Sequence, residues 1–143
     1  MLTVDASVWV AAFDPKDRFH RRSTAFLREV SRREERLAGP AFVVLEVACA
    51  IARRAGDPHL GEVVADRLGA HPALLLHPLD EVLLAAAEAL GVRRLLRGAD
   101  ALYAATAELL DARLVSWDEE LLSRGGAIKP DTWLAGAGGP PAE

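Results

Sequence analysis

Four carboxylates stand apart from the other acids of this chain by their surroundings. Asp5 closes the apolar run Leu2-Thr3-Val4, and Ser7 follows two residues later. Glu46 is the only charged residue between Leu37 and Ala52. Asp100 opens an Ala-rich segment three residues after Arg97, and Asp118 follows the apolar run Leu114-Val115-Ser116-Trp117. Hard divalent cations such as Mg²⁺ and Mn²⁺ take oxygen ligands, with waters filling the open positions. Four acids meeting at one place would therefore suit a metal site, where a bound ion can activate a water and stabilise developing charge. Zinc fits less well, because His20, His59, His71, His77 and Cys49 show no ligand spacing for it.

Each acid also has a structural reading, and residue by residue the two stay open. Asp5 fits the N-cap of a first helix. Ser116-Trp117-Asp118-Glu119 fits a capping box with Ser116 as cap. Asp100 complements a helix dipole from the first turn, and Glu46 is the one wet position of its helix. Convergence on a metal explains all four at once. Ser7 and Ser116 would then orient acids or waters from the second layer.

These residues need elements to position them. Leu2-Thr3-Val4 reads as a first strand, followed by a short helix Ala6 to Phe13, and Asp14-Pro15-Lys16-Asp17 breaks it. An amphipathic helix fits His20 to Arg36. Leu37-Ala38 reads as a short strand stopped by Gly39-Pro40. Ala41 to Arg54 is apolar nearly all round, which predicts a buried helix. Asp57 and Pro58 have the N-cap and first-turn chemistry of the next helix, which runs to about Leu68. Ala73 to His77 reads as a buried strand, and a helix follows from Glu81 to Leu90. Gly91 to Gly98 is a basic connection, and Ala99 to Asp111 a further helix. Leu114-Val115-Ser116 is a strand, Glu119 to Ser123 a short helix, and Ala127 to Pro130 a candidate edge strand. Gly136 to Glu143 is Gly/Pro-rich and expected to be a flexible tail. Strands alternating with helices predict a mainly parallel sheet with helices on both faces. Ligands of such sheets bind beyond the carboxyl ends of the strands, where Asp5 and Asp118 fall.

The totals are those of a single domain. The chain has 143 residues, is 51% hydrophobic and 27% charged, and carries a formal net charge of −4. That charge neither announces nor excludes a nucleic-acid partner, because local patches decide binding. Lys16 and Lys129 are the only lysines, so basic character is nearly all Arg, which suits bidentate contact with phosphate or carboxylate. One cysteine excludes an internal disulfide. With no leader-like segment and no apolar run of about 20 residues, the expectation is a cytoplasmic protein without membrane contact.

The ordered set Val4-Asp5-Ala6-Ser7, Glu46, Arg97-Gly98-Ala99-Asp100-Ala101-Leu102-Tyr103-Ala104-Ala105-Thr106-Ala107 and Leu114-Val115-Ser116-Trp117-Asp118-Glu119-Glu120-Leu121-Leu122 resembles the PIN-domain nucleases. Within them it is most similar to the toxin ribonucleases of VapBC type II toxin–antitoxin systems. The resemblance implies a PIN-like three-layer α/β/α sandwich around a mainly parallel sheet of four to five strands, with residues 1–135 as the PIN domain and 136–143 as the tail. It implies that Asp5, Glu46, Asp100 and Asp118 are the catalytic, metal-holding acids of a Mg²⁺-dependent (or Mn²⁺-dependent) endoribonuclease. Ser7 matches the family's small polar residue, and Ser116 stands where Thr is common. An RNA substrate, a homodimer and a cognate antitoxin follow from the same resemblance. For RNA contact the candidates are Arg97, Arg18 and Arg21, although most arginines also fit solvated helix faces.

Three alternatives remain beside this reading. A housekeeping PIN nuclease of RNA processing would share the site and lack an antitoxin. An aspartyl-phosphate phosphatase would use Asp5 as nucleophile, but Ser7 stands where such sites want a second acid. An inactive RNA- or protein-binding PIN module would have no need to gather four acids.

Overall fold

The computed structural model describes residues 1–136. Four parallel strands form its sheet: β1 (Leu2–Val4), β2 (Leu37–Pro40), β3 (Leu74–His77) and β4 (Arg113–Val115), in the order β3-β2-β1-β4. Eight helices fill the rest of the described chain: α1 (Ala6–Phe13), α2 (His20–Arg32), α3 (Phe42–Ala55), α4 (Pro58–Gly69), α5 (Glu81–Arg94), α6 (Gly98–Leu109), α7 (Glu119–Ser123) and α8 (Pro130–Gly136). This is the expected three-layer α/β/α sandwich, with four strands. Every residue of β1 and β2 is buried, as strands covered on both faces must be. The core gathers Val4, Val8, Phe26, Val43, Val47, Leu83, Tyr103, Val115 and Leu121.

The boundaries that differ from expectation do so for local reasons. α2 stops at Arg32, short of Arg36, and Glu34 turns the chain with φ 53°. β2 continues through Gly39 and Pro40, pairing there only with Leu76 and His77 of β3. β1 registers no further than Ala38, so Pro40's missing N–H costs no bond on that side. α3 is not buried all round. It buries Val43, Val47 and Ile51 at helical spacing and leaves Leu45 59% exposed. β3 is an edge strand with Leu75 43% exposed, not a buried one.

Gly91 does not end α5, so the segment 91–98 is mostly helix. Gly91 lies where α5 meets α6, and a Cβ there would stand 2.9 Å from Ala101 Cβ. The helix ends instead at Leu95, held in the left-handed region with φ 55°. The expected last strand shrinks to one bridge between Val115 and Ile128, and Pro130 opens α8. Of the expected tail, Gly136 belongs to α8 and the remainder lies outside the described residues.

Candidate active site

The strand order decides where the acids meet. The chain steps from β1 outward through β2 to β3, then returns to the other side of β1 with β4. The crevice beside β1, at its carboxyl end, is the topological switch point where open α/β sheets bind ligands. Asp5 leaves β1 there, and Ser116 to Asp118 leave β4. Glu46 reaches it from α3 and Asp100 from the first turn of α6. All four acids line one cleft of about 360 Å³, together with Ser7, Arg54 and Arg97.

Asp5 is the most firmly held. It is 5% exposed and caps α1, with Oδ2 accepting Ser7 N at 3.1 Å. The same oxygen accepts Ser7 Oγ at 2.5 Å and Ser116 Oγ at 2.8 Å. Each hydroxyl spends its one hydrogen on Asp5, so the 3.3 Å approach of Ser7 Oγ to Ser116 Oγ is a contact without a proton of its own. As acceptors, Ser7 Oγ takes Trp117 N at 3.0 Å and Ser116 Oγ takes Asp118 N at 2.9 Å. The two serines thus tie the ends of β1 and β4 together across Asp5, and Oδ1 takes no hydrogen bond among the described residues. The capping role of Asp5 thus occupies one oxygen and leaves the other without a hydrogen bond among the described residues.

Asp118 behaves similarly. It caps α7 itself, Oδ1 accepting Glu120 N at 2.9 Å and Leu121 N at 3.2 Å, so Ser116 is not the cap. Its Oδ2 accepts Arg97 NH2 at 2.9 Å. Asp100 Oδ2 accepts Arg97 Nε at 2.8 Å. Glu46 Oε2 accepts the Tyr103 hydroxyl at 2.6 Å.

The sequence signature of the PIN domain matches residues 2–126. This chain belongs to the PIN domain family. Its PIN fold is similar to that of VapC20 from Mycobacterium tuberculosis, a toxin described as cleaving the sarcin-ricin loop, with TM-score 0.77 and 19% identity over 90% of this chain and 98% of that one. FitAcB from Neisseria gonorrhoeae matches with TM-score 0.68 and 20% identity, over 91% of this chain and 98% of that one. A toxin–antitoxin complex from Klebsiella pneumoniae matches with TM-score 0.64 and 14% identity, over 91% and 98%. At these identities the likeness is one of fold. No curated protein sequence matches the chain.

In this PIN domain the cleft disfavours its own negative charge. Burial pushes the Asp5 carboxyl up, against its serine hydrogen bonds, and Asp118 adds repulsion. Burial also raises Glu46, opposed by the Tyr103 hydrogen bond and assisted by Asp5 and Asp100. Asp100 is raised by burial, opposed chiefly by its bond to Arg97. Burial likewise raises the Tyr103 phenol, which therefore stays protonated and remains a donor to Glu46.

The donor set is the one a hard divalent cation takes, four carboxylates from four segments. As they stand, no three His, Cys, Asp or Glu side chains among the described residues close on a single point. Asp100 and Asp118 each give an oxygen to the Arg97 guanidinium, which stands between them. In chemistry the residues fit a divalent ion.

The other basic candidates lie elsewhere. Arg18 is exposed over the Phe19 ring, 4.5 Å from its centroid, and Arg21 is exposed on the first turn of α2; neither lines the acidic cleft. Arg54 does line it, and is paired with Asp14 at 3.0 Å and Asp17 at 2.8 Å. A larger cavity of about 610 Å³ opens at the amino ends of β1 and β4, where Arg94 and Glu108 neutralise each other. Tyr103 escaped sequence reasoning as a site residue. The available signal was its place three residues after Asp100, one helical turn on the same face. Glu120, which faces Arg97, carried no such signal.

Proposed function

We propose that this PIN domain is a Mg²⁺- or Mn²⁺-dependent endoribonuclease, the toxin of a type II toxin–antitoxin pair. The observation that carries the reading is the meeting of Asp5, Glu46, Asp100 and Asp118, drawn from segments up to 113 residues apart (118 − 5). Gathering acids that repel one another costs folding free energy, and a bound divalent cation offsets that cost.

Asp5, Glu46, Asp100 and Asp118 would hold the ion. Bound there, the ion supplies a water activated near neutral pH and charge stabilisation on the scissile phosphate. Ser7 and Ser116 fix the Asp5 carboxylate through one oxygen and leave the other for the ion. Tyr103 does the same for Glu46. The antitoxin and a second copy of the chain are the proposed protein partners. Leu45, Val82, Leu84 and Val92 leave apolar surface exposed for such contacts. The toxin described for VapC20 and the complex from Klebsiella pneumoniae support this assignment through shared fold.

The test is end-mapping of cellular RNA after induction, beside cleavage by the purified chain. We expect new RNA ends with Mg²⁺ or Mn²⁺ and none with chelator. Asp5→Ala should cut the rate by at least about 100-fold, more than loss of an outer-shell partner costs. Growth arrest should vanish in the same variant and on co-expression of a small adjacent gene. Unchanged cleavage by Asp5→Ala would overturn the reading.

A further inference from the structure

The Arg97 guanidinium faces three carboxylates, two of them lining the cleft. Arg97 Nε donates to Asp100 Oδ2 at 2.8 Å, and NH2 donates to Asp118 Oδ2 at 2.9 Å. Nε also stands 3.1 Å from Glu120 Oε2. That last pair is ionic only, because the single Nε hydrogen is spent on Asp100 and Glu120 Oε2 accepts no hydrogen bond. Arg97 sits at the N-cap of α6 and caps nothing with its side chain. The side chain is 62% exposed, so charge rather than packing holds it in place. Exposed ion pairs of this kind are each worth about 0–1 kcal/mol, which makes the arrangement easily exchanged.

The exchange has a donor side and an acceptor side. A divalent ion brings twice the charge and binds carboxylate oxygens directly, so it competes for the atoms Arg97 now holds. Two cations in one small cleft also repel each other. Glu120 is not stranded when Arg97 leaves, because Arg124 pairs with it at 2.8 Å. With two of its five N–H donors engaged and its charge offset by three carboxylates, the guanidinium attracts a phosphate only weakly. Once freed, it is a bidentate phosphate ligand at the mouth of the site.

We propose that Arg97 occupies the cation position of the acidic cleft until a divalent ion displaces it, and that the released guanidinium then binds the RNA phosphate. Metal and RNA therefore bind cooperatively through this one side chain, and by linkage the coupling is reciprocal. The inference rests on the reading of the cleft as a divalent-metal site, and its test separates the two.

Mn²⁺ binding is titrated calorimetrically on the full chain, without RNA, for wild type, Arg97→Ala and Arg97→Gln. Both variants should bind Mn²⁺ about 5- to 20-fold more tightly than wild type, the size of an ordinary coupling. Thermal melts confirm that each variant is folded, and Gln keeps a polar, unbranched side chain while removing the charge. If wild type binds Mn²⁺ and the variants bind it equally or more weakly, the displacement is overturned and the metal site stands. If no chain binds Mn²⁺, both readings fall.

A second arm measures binding of a nuclease-resistant 2′-O-methyl phosphorothioate 12-mer as salt is varied. Without Mn²⁺, wild type and Arg97→Ala should share one salt slope. With saturating Mn²⁺, wild type should be steeper by about one charge. A difference already present without metal, or absent with it, would show that Arg97 does not change partners.

Discussion

At the scale of single residues, Asp5 and Glu46 each engage one carboxylate oxygen and leave the other without a hydrogen bond among the described residues. Asp5 Oδ2 takes three hydrogen bonds and Glu46 Oε2 takes one from Tyr103. Such partners orient an acid without touching what it holds. Tyr103→Phe should therefore leave the fold nearly intact, at a cost of about 1 kcal/mol for the lost hydrogen bond. It should weaken Mn²⁺ binding about 10-fold or more, because Glu46 is then free to turn. Calorimetric titration beside a urea melt checks both halves. An unchanged Mn²⁺ affinity would reduce Tyr103 to a core residue, the role its composition alone suggests.

At the scale of elements, two glycines let helices approach closely enough to bring their acids in. A Cβ at Gly61 of α4 would meet Ala52 Cβ at 2.8 Å and Ala48 O at 2.9 Å, both on α3, the helix that carries Glu46. Gly61→Ala gains up to about 1 kcal/mol of helix propensity and loses about 1–3 kcal/mol to overpacking against backbone. The net should be destabilising. Gly69, with nothing within 4 Å of its Cβ position, supplies the control: Gly69→Ala should stabilise slightly. Urea midpoints of the two variants should move in opposite directions. Two rises would mean that α3 and α4 can separate at little cost. Gly91 plays the same part between α5 and α6, which is why reading it as a helix stop failed.

At the scale of the molecule, the gathered acids tax the metal-free fold. A carboxyl whose pKa is raised in the folded chain binds its proton more tightly there. It favours folding at acid pH and turns against it as pH climbs from about 4 through the folded value. Asp5, Glu46 and Asp100 are all raised, mainly by burial. Glu29, held down to about 2 by Arg32 and Arg33, has the opposite sign: its contribution is present above the ordinary range and lost on acidification. Comparing wild type with Asp5→Asn isolates the cleft, since Asn remains a good N-cap. In chelator at pH 7 the variant should melt a few degrees higher, about what 1 kcal/mol moves in a domain of this size. The gap should close toward pH 4. Added Mn²⁺ should raise the wild-type Tm and leave the variant's nearly unchanged. A gap that ignores pH would mean that the Asp5 charge costs the fold nothing.

The sequence by itself determined the parallel α/β class, most of the elements and the four acids. Strand ends, caps and isolated charges are local features, written within a few residues of each acid. The caps at Asp57 and Pro58 and the helix from Glu119 were legible for that reason. The tertiary structure decided what depends on adjacency across the chain. It set β4 beside β1, so that Ser116 reaches Asp5 across 111 residues. It brought Tyr103 to Glu46 across 57 residues, and Arg97 to Asp118 across 21. It also chose which apolar faces stay exposed: α3 is as apolar as a buried helix, yet only the stripe facing the sheet and its neighbours is covered. Periodicity along one segment cannot report such pairings, because hydrogen bonds and ion pairs of this kind exist only once strand order has brought distant segments within about 3 Å.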